Sequence, residues 1–509
     1  MKTVFMVVYT IDVNKGGMTT AMLNRSKMLV HNGYKSDLVT FDYNPYYDNI
    51  TSELRRIGKL DPAVNILNVN DYYRDLNTIG HIDPSYYENQ AQIEEEGYFI
   101  QDSEYDTKQY IRYFKQGLYV KYKKWTEDGH LTHIDFFNEN RQRVKREEFH
   151  KNKYKHREIG FDPTNNKMNH EKYFTPDGFC YLIRWYNSET EKQQQVFLFN
   201  RNSNKVLMFK NNAEFHTYWL NEIAAVEDEK PIFICDGPGS TGKVRGMKKE
   251  LAHRIYMVHI NHFESPFTYG SKVKPDHIDF LSNIDKLDAL VVLTNDQKKD
   301  IEKQFGEHGN IFIIPNSMPY TDLPDVKKDN KKVSMFVRYN KQKAIDEAIK
   351  AFVKVIKKVP DARLEIFGHG AEQSKLEQLI NELNLQQNVF IKGYAKNVRE
   401  EMGSSLTTLL SSDYEAFPLS VMESFMNGTP VISYDCNYGP RDLINDGVDG
   451  YVVPHKDQKA LANQIIKLLN NPDAAKEMGL KGREKVLTEY TNEAVLNKWL
   501  QLFNVLEKK

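Results

Sequence analysis

The sequence predicts an α/β protein in which two Rossmann-like domains face each other across a cleft, with an antiparallel β-meander inserted into the first. Three observations predict this fold. The chain has 509 residues, more than one hydrophobic core usually organises. Apolar runs of strand length alternate with helical patterns towards both ends of the chain, as in parallel sheets. The stretch between them is rich in aromatic residues and turn residues instead.

The first domain begins as a strand, a glycine loop, a helix and a second strand. An apolar run at 3–9 precedes Gly16 and Gly17, a helical pattern covers 18–31, and a second apolar run lies at 36–41. We assign residues 1–70 to this acceptor domain and expect it to continue over 218–317. Its further strands are predicted at 231–235, 255–260, 289–293 and 311–314.

The predicted insertion covers 71–217, where short aromatic and β-branched runs are separated by turns such as 127–129 and 176–178. We expect this meander to mediate self-association and to guide a polymer. Residues 141–160 carry eight Lys or Arg and three Glu, a net charge of +5. Such a segment offers a path to a polyanion, although a solvated charged face explains it too.

A second β-α series predicts a doubly wound domain over 318–488, followed by a C-terminal helix in 489–509 that returns to the first domain. Its strands are predicted at 333–337, 363–367, 389–393, 407–410, 431–434 and 450–453. Ligands of such folds bind at the carboxyl ends of the strands.

Composition limits the classes of function. A net charge of −1 gives no global attraction to nucleic acid or to an anionic membrane. Three widely separated cysteines favour a reduced compartment and no zinc site. The N-terminal apolar run is too short for a secretory signal. We therefore expect a cytoplasmic protein, with at most peripheral contact at the inner face of the cell membrane.

The segment 237–243 resembles a phosphate-binding P-loop up to its last position, where Val244 stands in place of Ser or Thr. Without that hydroxyl a Mg²⁺ ligand is missing. We therefore interpret the segment as a structural turn after a strand.

Two other places are candidates for binding a diphosphate. Gly16 and Gly17 precede a helix, whose first amides attract anions, although a tight turn alone also explains these glycines. Arg338 and Lys343 follow the first strand of the second domain. Fixed cations at a sheet edge stabilise a leaving phosphate without a metal, and solvated cations are the alternative. The sequence has no Asp-x-Asp pair, so we predict no metal site.

The strongest signal is a pair of carboxylates, Glu415 in a loop after a strand and Glu423 inside the next helix. A loop carboxylate reaches donor sugar hydroxyls, and a helical one accepts both hydroxyls of a ribose. The amides of Leu419 and Ser420 remain available to phosphate.

With Gly16, Gly17, Arg338 and Lys343, this carboxylate pair resembles the signature of retaining GT-B glycosyltransferases of family GT4. The segments 12–19, 24–27, 40–43, 235–239 and 438–440 are similar to the wall teichoic acid α-glycosyltransferases (the TarM/TagE group), which also carry a β-rich insertion.

The resemblance implies a role for each of these residues. Gly17 would bind the donor diphosphate, Arg338 and Lys343 the leaving phosphate, Glu415 the donor sugar and Glu423 the ribose. His259 would contact the donor sugar, whereas His262 is expected to be structural. Tyr394, directly after a predicted strand, completes the substrate-binding set. No cofactor is expected besides the UDP-sugar donor.

The predicted function is transfer of an α-linked sugar from its UDP form to polyol units of a teichoic acid. N-acetylglucosamine and ribitol are favoured, while glucose and glycerol stay open. A protein O-glycosyltransferase of serine-rich adhesins is the alternative, and a non-catalytic binding scaffold is a third hypothesis. The resemblance also implies a homotrimer, and Gly117, between aromatic residues, is the predicted interface position.

Overall fold

A computed structural model describes residues 1–14, 16–101 and 109–508. Its strands form a seven-stranded parallel sheet, a ten-stranded antiparallel sheet and a six-stranded parallel sheet. Two parallel sheets with one antiparallel insertion confirm the predicted fold class.

The first domain opens with three strands and three helices. They are β1 (Thr3–Val7), α1 (Met18–Val30), β2 (Lys35–Thr40), α2 (Tyr47–Arg56), β3 (Ile66–Asn68) and α3 (Val69–Asn77). All five residues of β1 are buried, because helices cover both faces of a parallel sheet.

The insertion is a meander in which each strand pairs with the next, so that sheet order equals chain order. Gly129 and Gly178 have φ of +83°, which places the two predicted turns at hairpin ends. The elements are α4 (Ser85–Ala91), β4 (Phe99–Gln101), β5 (Tyr110–Lys115), β6 (Leu118–Trp125), β7 (Leu131–Phe137), β8 (Arg143–His150), β9 (Tyr154–Phe161), β10 (Met168–Phe174), β11 (Cys180–Tyr186), β12 (Gln193–Asn200), β13 (Lys205–Phe209) and α5 (Asn212–Ala225).

The end of the insertion that carries β10 to β13 shares the core of the first domain. One cluster of buried residues joins Phe5 of β1 and Tyr73 of α3 to Leu198 of β12 and Trp219 of α5. The boundaries 70/71 and 217/218 that we drew from the sequence therefore fall inside α3 and α5. The strands β5 to β8 at the other end of the insertion have a separate cluster of buried residues, which includes Tyr113 and Trp125.

The first domain then resumes with β14 (Ile232–Cys235), α6 (Pro238–Arg245), β15 (His253–Val258), α7 (Pro275–Leu281), β16 (Ala289–Val292), α8 (Asn295–Phe305) and β17 (Ile311–Ile313). The sheet order is β17-β16-β15-β14-β1-β2-β3. The order reverses between β1 and β14, and a ligand crevice is expected at such a switch point.

The second domain repeats this plan, with the sheet order β20-β19-β18-β21-β22-β23. Its elements are β18 (Asp329–Phe336), α9 (Ile345–Ile356), β19 (Arg363–Phe367), α10 (Gln373–Glu382), β20 (Val389–Gly393), α11 (Val398–Ser404), β21 (Ser405–Leu410), α12 (Leu419–Met426), β22 (Val431–Tyr434), α13 (Pro440–Leu443), β23 (Gly450–Val453), α14 (Gln458–Leu469) and α15 (Pro472–Glu489).

The last helix, α16 (Asn492–Glu507), lies against α1 of the first domain. The Asn24 amide donates to the Asn492 side chain at 2.8 Å, and the Arg25 guanidinium lies 5.1 Å from the centre of the Trp499 ring. The chain therefore crosses between the domains twice. Within the described part of the chain, no helix is long and apolar enough to cross a membrane.

Candidate active site

The cleft is formed by loops that leave the carboxyl edges of the two parallel sheets, and it is bridged at one end. The Asn261 side chain, after β15, donates to the Asn437 carbonyl of the second domain at 3.0 Å. The rings of Phe267 and Tyr414 lie 3.9 Å apart across the same boundary. The loop that follows β15 therefore packs directly on the loop that carries Glu415.

Arg338 and Lys343 lie on one loop between β18 and α9. The Arg338 side chain is exposed and forms no ion pair with any carboxylate of the described chain. Lys343 ends a short 3₁₀ turn, Lys341–Lys343, and its backbone amide donates to the side-chain oxygen of the capping residue Asn340. The loop thus presents two cations at the carboxyl edge of the second sheet, the position predicted from the sequence.

Glu415 is held by two groups in this loop region. The Lys343 ammonium lies 2.6 Å from Glu415 Oε1, and the Ser412 hydroxyl donates to the same oxygen at 2.6 Å. The Glu415 backbone amide donates to the Asn437 carbonyl at 2.9 Å, the same carbonyl that Asn261 reaches from the first domain. The position of this carboxylate is therefore fixed from both sides of the cleft.

Glu423 lies in the second turn of α12 and is half-buried. Its carboxylate has no hydrogen-bond partner among the side chains that the structure describes, and burial raises the pKa of the carboxyl above its ordinary value. The N-terminus of α12 has no side-chain cap. The first-turn amides of Leu419 and Ser420 therefore donate no hydrogen bond to a capping side chain. A carboxylate and two amides on one helix end are thus available to a ligand.

His259 directly follows β15 and belongs to a buried chain of polar groups. Its Nε2 lies 2.7 Å from Asp236 Oδ1, and both oxygens of Asp236 accept from the Arg25 guanidinium. Burial raises the pKa of Asp236, but the charge of Arg25 and the hydrogen bond with His259 outweigh it, so that the pKa lies below its ordinary value. An ionised Asp236 therefore orients His259 at the cleft edge.

His262 has a different environment from His259. It is fully buried, its ring stacks on Tyr438 with centroids 6.0 Å apart, and burial lowers its pKa to about 3. A neutral histidine packed between rings fits the structural role that the sequence predicts for it.

Gly17 is the N-cap of α1 and has φ of +58°, a conformation that glycine adopts without strain. A Cβ atom built at Gly16 or Gly17 would meet no heavy atom of the described residues within 4 Å. Space is therefore open in front of this helix end, where the sequence predicts a bound phosphate.

Tyr394 follows β20 and is 73% exposed. Its ring lies 4.4 Å from the ring of His369, which follows β19, and its hydroxyl lies 3.0 Å from His369 Nε2. His369 was not predicted from the sequence to belong to the site, although it stands between two glycines. A Cβ at Gly368 would lie 1.9 Å from the Val337 carbonyl oxygen. The glycine therefore lets this loop pack against the loop 337–344, which carries Arg338 and Lys343 and is named the phosphate loop.

The P-loop-like segment does not form a nucleotide-binding loop. It starts α6, and the Lys243 ammonium folds back to the Gly239 carbonyl at 2.6 Å. Lys243 is buried, with its Nζ 4.9 Å from the Tyr9 ring and 4.8 Å from the Phe41 ring. The structural interpretation of the turn agrees with this geometry.

The cations of 141–160 are largely paired in space, so fewer of them are free than the count along the segment suggests. Asp135, Glu88 and Glu171 come from neighbouring elements, and a count along one segment misses them, whereas Glu147, Glu148 and Glu158 belong to the segment itself. Arg141 and Lys151 form no ion pair with any described carboxylate. The six paired cations are Arg143, Lys145, Arg146, Lys153, Lys155 and Arg157.

Gly117 lies in the β5–β6 hairpin turn with φ of +79°. The turn itself requires a residue that adopts a left-handed conformation, so the need for glycine does not depend on a neighbouring backbone. A Cβ atom there would meet nothing within 4 Å in the described ranges of the chain, which leaves room at the turn for a partner.

Comparison with known proteins decides the family. A family model described as "Glycosyl transferases group 1" matches residues 323–485. The chain is 32% identical to the poly(ribitol-phosphate) α-N-acetylglucosaminyltransferase of Staphylococcus aureus, over 99% of this chain and 100% of that protein. The chain belongs to the family of wall teichoic acid α-glycosyltransferases. This confirms the resemblance inferred from the sequence, and the protein is a glycosyltransferase.

Two further comparisons agree with this assignment. The poly(glycerol-phosphate) α-glucosyltransferase of Bacillus subtilis is 26% identical, over 96% of this chain and 73% of that protein. The crystal structure of a point mutant of S. aureus TarM, in complex with fondaparinux, α-GlcNAc-glycerol and UDP, superposes with a TM-score of 0.87. That structure is 31% identical and covers 99% of this chain and 100% of its own. The fold of this glycosyltransferase is therefore GT-B.

Proposed function

We propose that this glycosyltransferase transfers N-acetylglucosamine from UDP-N-acetylglucosamine to ribitol units of a poly(ribitol phosphate), with retention of the α configuration. The full-length similarity to an enzyme named for that reaction carries the proposal. Glucose and glycerol phosphate are the alternative donor sugar and acceptor unit, because the B. subtilis relative is named for them. A serine-rich peptide acceptor is less well supported, since both of these relatives act on polyol phosphates.

The donor would lie across α12 and the phosphate loop. An unpartnered carboxylate on Glu423 suits the two hydroxyls of a ribose, which donate charge-assisted hydrogen bonds. The amides of Leu419 and Ser420, together with Gly16 and Gly17 across the cleft, suit the diphosphate. Tyr394, exposed beside His369 at the same sheet edge, suits contact with the nucleotide.

The reacting end of the donor would lie between the two domains. Arg338 and Lys343 would stabilise the charge that develops on the leaving phosphate, and a metal ion would then not be needed for that task. Glu415 would hold the donor sugar hydroxyls, and His259, oriented by Asp236, would contact the sugar from the first domain.

Retention then follows from a front-face displacement. The acceptor hydroxyl attacks the anomeric carbon from the side of the leaving diphosphate. The bond from the anomeric carbon to the phosphate oxygen breaks as the new glycosidic bond forms, and the departing phosphate takes the hydroxyl proton. Glu415 contributes by positioning the sugar, since its carboxylate is already engaged by Lys343 and Ser412.

The insertion would hold the copies of a homotrimer together and lead the polymer to the cleft, with the enzyme at the inner face of the cell membrane. Exposed apolar residues of the edge strand β4, Phe99 and Ile100, support a covered edge in the assembly, because unpaired strand edges need a partner.

The proposal is tested by a matrix of donors and acceptors. UDP-N-acetylglucosamine and UDP-glucose are each incubated with poly(ribitol phosphate), poly(glycerol phosphate) and a serine-rich peptide, with and without a chelator. UDP release and the anomeric configuration of the product are measured. We expect an α-linked product on ribitol phosphate with the chelator present, whereas turnover on the peptide alone would reject the proposal.

A further inference from the structure

Lys243 is a buried cation that the proposed donor site does not use. Its side chain leaves α6 and runs back to the carboxyl edge of the first sheet, where its ammonium donates to the Gly239 carbonyl at 2.6 Å. The rings of Tyr9, after β1, and Phe41, after β2, flank it at 4.9 and 4.8 Å. Three loops of the first domain therefore meet around one ammonium group.

Within the described part of the chain, the charge of this group is not balanced. An ammonium has three donors, and one hydrogen bond is made, to a neutral carbonyl. None of the carboxylates in the described ranges forms an ion pair with Lys243, although the residue is only 7% exposed. Burial lowers the pKa of its ammonium to about 8. Burying an unpaired charge costs free energy, so an anion that bound here would be stabilised.

The position of Lys243 relates it to the acceptor rather than to the donor. Asp236, which orients His259, is followed directly by Gly237 at the start of the segment that carries Lys243. The crevice between β1 and β14, the switch point of the first sheet, opens at the same place. Arg338 and Lys343, which we assign to the donor, lie in the second domain, whereas Lys243 lies in the first.

We propose that the Lys243 ammonium binds the acceptor phosphodiester that adjoins the polyol unit being glycosylated. This inference rests on the proposed function, because it takes the acceptor to be a polyol-phosphate chain. The phosphodiester supplies the missing counter-charge, and none of its covalent bonds breaks. This non-covalent contact with Lys243 holds the neighbouring polyol in place, so that one of its hydroxyls faces the anomeric carbon beside His259.

The segment 237–243 would thus bind a phosphate group of the acceptor through Lys243, and not a nucleotide as a P-loop does. Val244 is fully buried in the core of the first domain, so α6 is anchored by an apolar residue where a P-loop has a metal-binding hydroxyl. The Thr217 hydroxyl of α5 donates to the Lys243 carbonyl at 2.9 Å. Lys243 is thus held on a rigid helix, as a residue that selects an anionic acceptor requires.

The test compares acceptors with and without phosphate. Lys243→Met keeps the length and packing of the side chain and removes the charge, Lys243→Arg keeps the charge, and Lys248→Met removes an exposed cation nearby as the control. For each variant kcat/KM is measured with a ribitol phosphate oligomer and with free ribitol, and the Kd of UDP is measured by calorimetry.

We expect Lys243→Met to lower kcat/KM for the phosphate oligomer by about 10- to 100-fold, the range of a charge-assisted hydrogen bond. Its effect on free ribitol and on UDP affinity should be far smaller, and Lys243→Arg should recover part of the loss. If Lys243→Met fails to fold, Lys243→Gln gives the same comparison.

Two results would overturn the inference: equal losses with both acceptors, which indicate a structural role, or full activity of Lys243→Met on the oligomer. A wild-type enzyme that transfers nothing to polyol-phosphate chains would instead reject the proposed function itself. The two failures are therefore distinguishable.

Discussion

The ammonium of Lys343 lies 2.6 Å from Oε1 of Glu415, 72 residues further along the chain. A cation assigned to the leaving phosphate is thus also the partner of the carboxylate assigned to the donor sugar. Both groups are mostly buried, with side-chain exposures of 16% and 9%, so their attraction is only weakly screened. When the donor binds, its diphosphate would share Lys343 with Glu415, and the sugar and phosphate sites are therefore coupled.

Removal of either phosphate-loop cation should slow the reaction more than it weakens donor binding. We expect Lys343→Ala and Arg338→Ala each to lower kcat by about 10²-fold or more, because each removes fixed charge where negative charge develops. Lys341→Ala is the matched control, since Lys341 is an exposed cation on the same turn. Steady-state kinetics with UDP-N-acetylglucosamine measures the effect. Normal turnover of both variants, together with inactivation by a chelator, would contradict the assignment.

Substitution of Glu423 and of Glu415 should change the affinity for UDP to different extents. Glu423→Ala should weaken UDP binding by about 1.5–3 kcal/mol, the range for hydrogen bonds to a charged group. Glu415→Ala should lower kcat and leave the affinity for free UDP almost unchanged, because UDP has no sugar for it to hold. Calorimetry on both variants measures this, and equal losses of affinity would reject the division of roles.

Glu423 should also reduce the stability of the unliganded enzyme. Burial raises its pKa above the ordinary value of 4.5, so the folded protein keeps this proton to a higher pH than the unfolded chain does. The stability of the folded state therefore falls as the pH rises through that window. We expect Glu423→Gln to raise Tm at neutral pH and to leave it unchanged below pH 4.5. A lower Tm at neutral pH would show that the carboxylate has a partner in solution.

The chain Arg25–Asp236–His259 should be important for both folding and activity. Asp236→Asn leaves the Arg25 guanidinium buried without a counter-charge, and breaking such a pair costs about 3–5 kcal/mol. It also removes the ionised partner of His259. Glu53→Gln, which breaks the exposed Arg56–Glu53 pair, is the control and should change the free energy of unfolding little. Denaturant unfolding compares the two, and similar shifts would contradict this account.

Much of the fold could be predicted because strands buried on both faces read as uninterrupted apolar runs. The runs at 3–9 and 231–235, for instance, became β1 and β14, which pair in parallel. The extent of the insertion was harder to predict. Residues of α3 and α5 such as Tyr73 and Phe215 look like part of an aromatic meander in the sequence, and only their packing on β1 shows that they belong to the first core.

The positions of candidate site residues were predictable where these residues closely follow strands, as His259 and Arg338 do. Partners that come from distant parts of the chain were not. Arg25 and Asp236 are 211 positions apart, and their contact depends on how α1 lies beside β14. The number of free cations in 141–160 was overestimated for a related reason, since Asp135 and Glu171, which pair with some of them, lie on neighbouring strands.

The last prediction concerns self-association through the β5–β6 turn. Gly117→Arg places a long charged side chain on a hairpin turn whose Cβ position has nothing within 4 Å among the residues that the structure describes. If the turn faces another copy, we expect the variant to dissociate to monomers, while kcat on short acceptors stays close to wild type because the cleft lies in other domains.

The control for this variant must account for backbone strain, because Gly117 has φ of +79° and arginine tolerates that region poorly. Asparagine adopts the left-handed region more readily, so Gly117→Asn changes the turn residue with little added bulk. If light scattering shows an intact assembly for Gly117→Asn and monomers for Gly117→Arg, the result would support a packed interface at the turn. Dissociation of both variants would point to the turn conformation itself, and an unchanged mass for Gly117→Arg would place the interface elsewhere, with the exposed edge of β4 as the next strand to test.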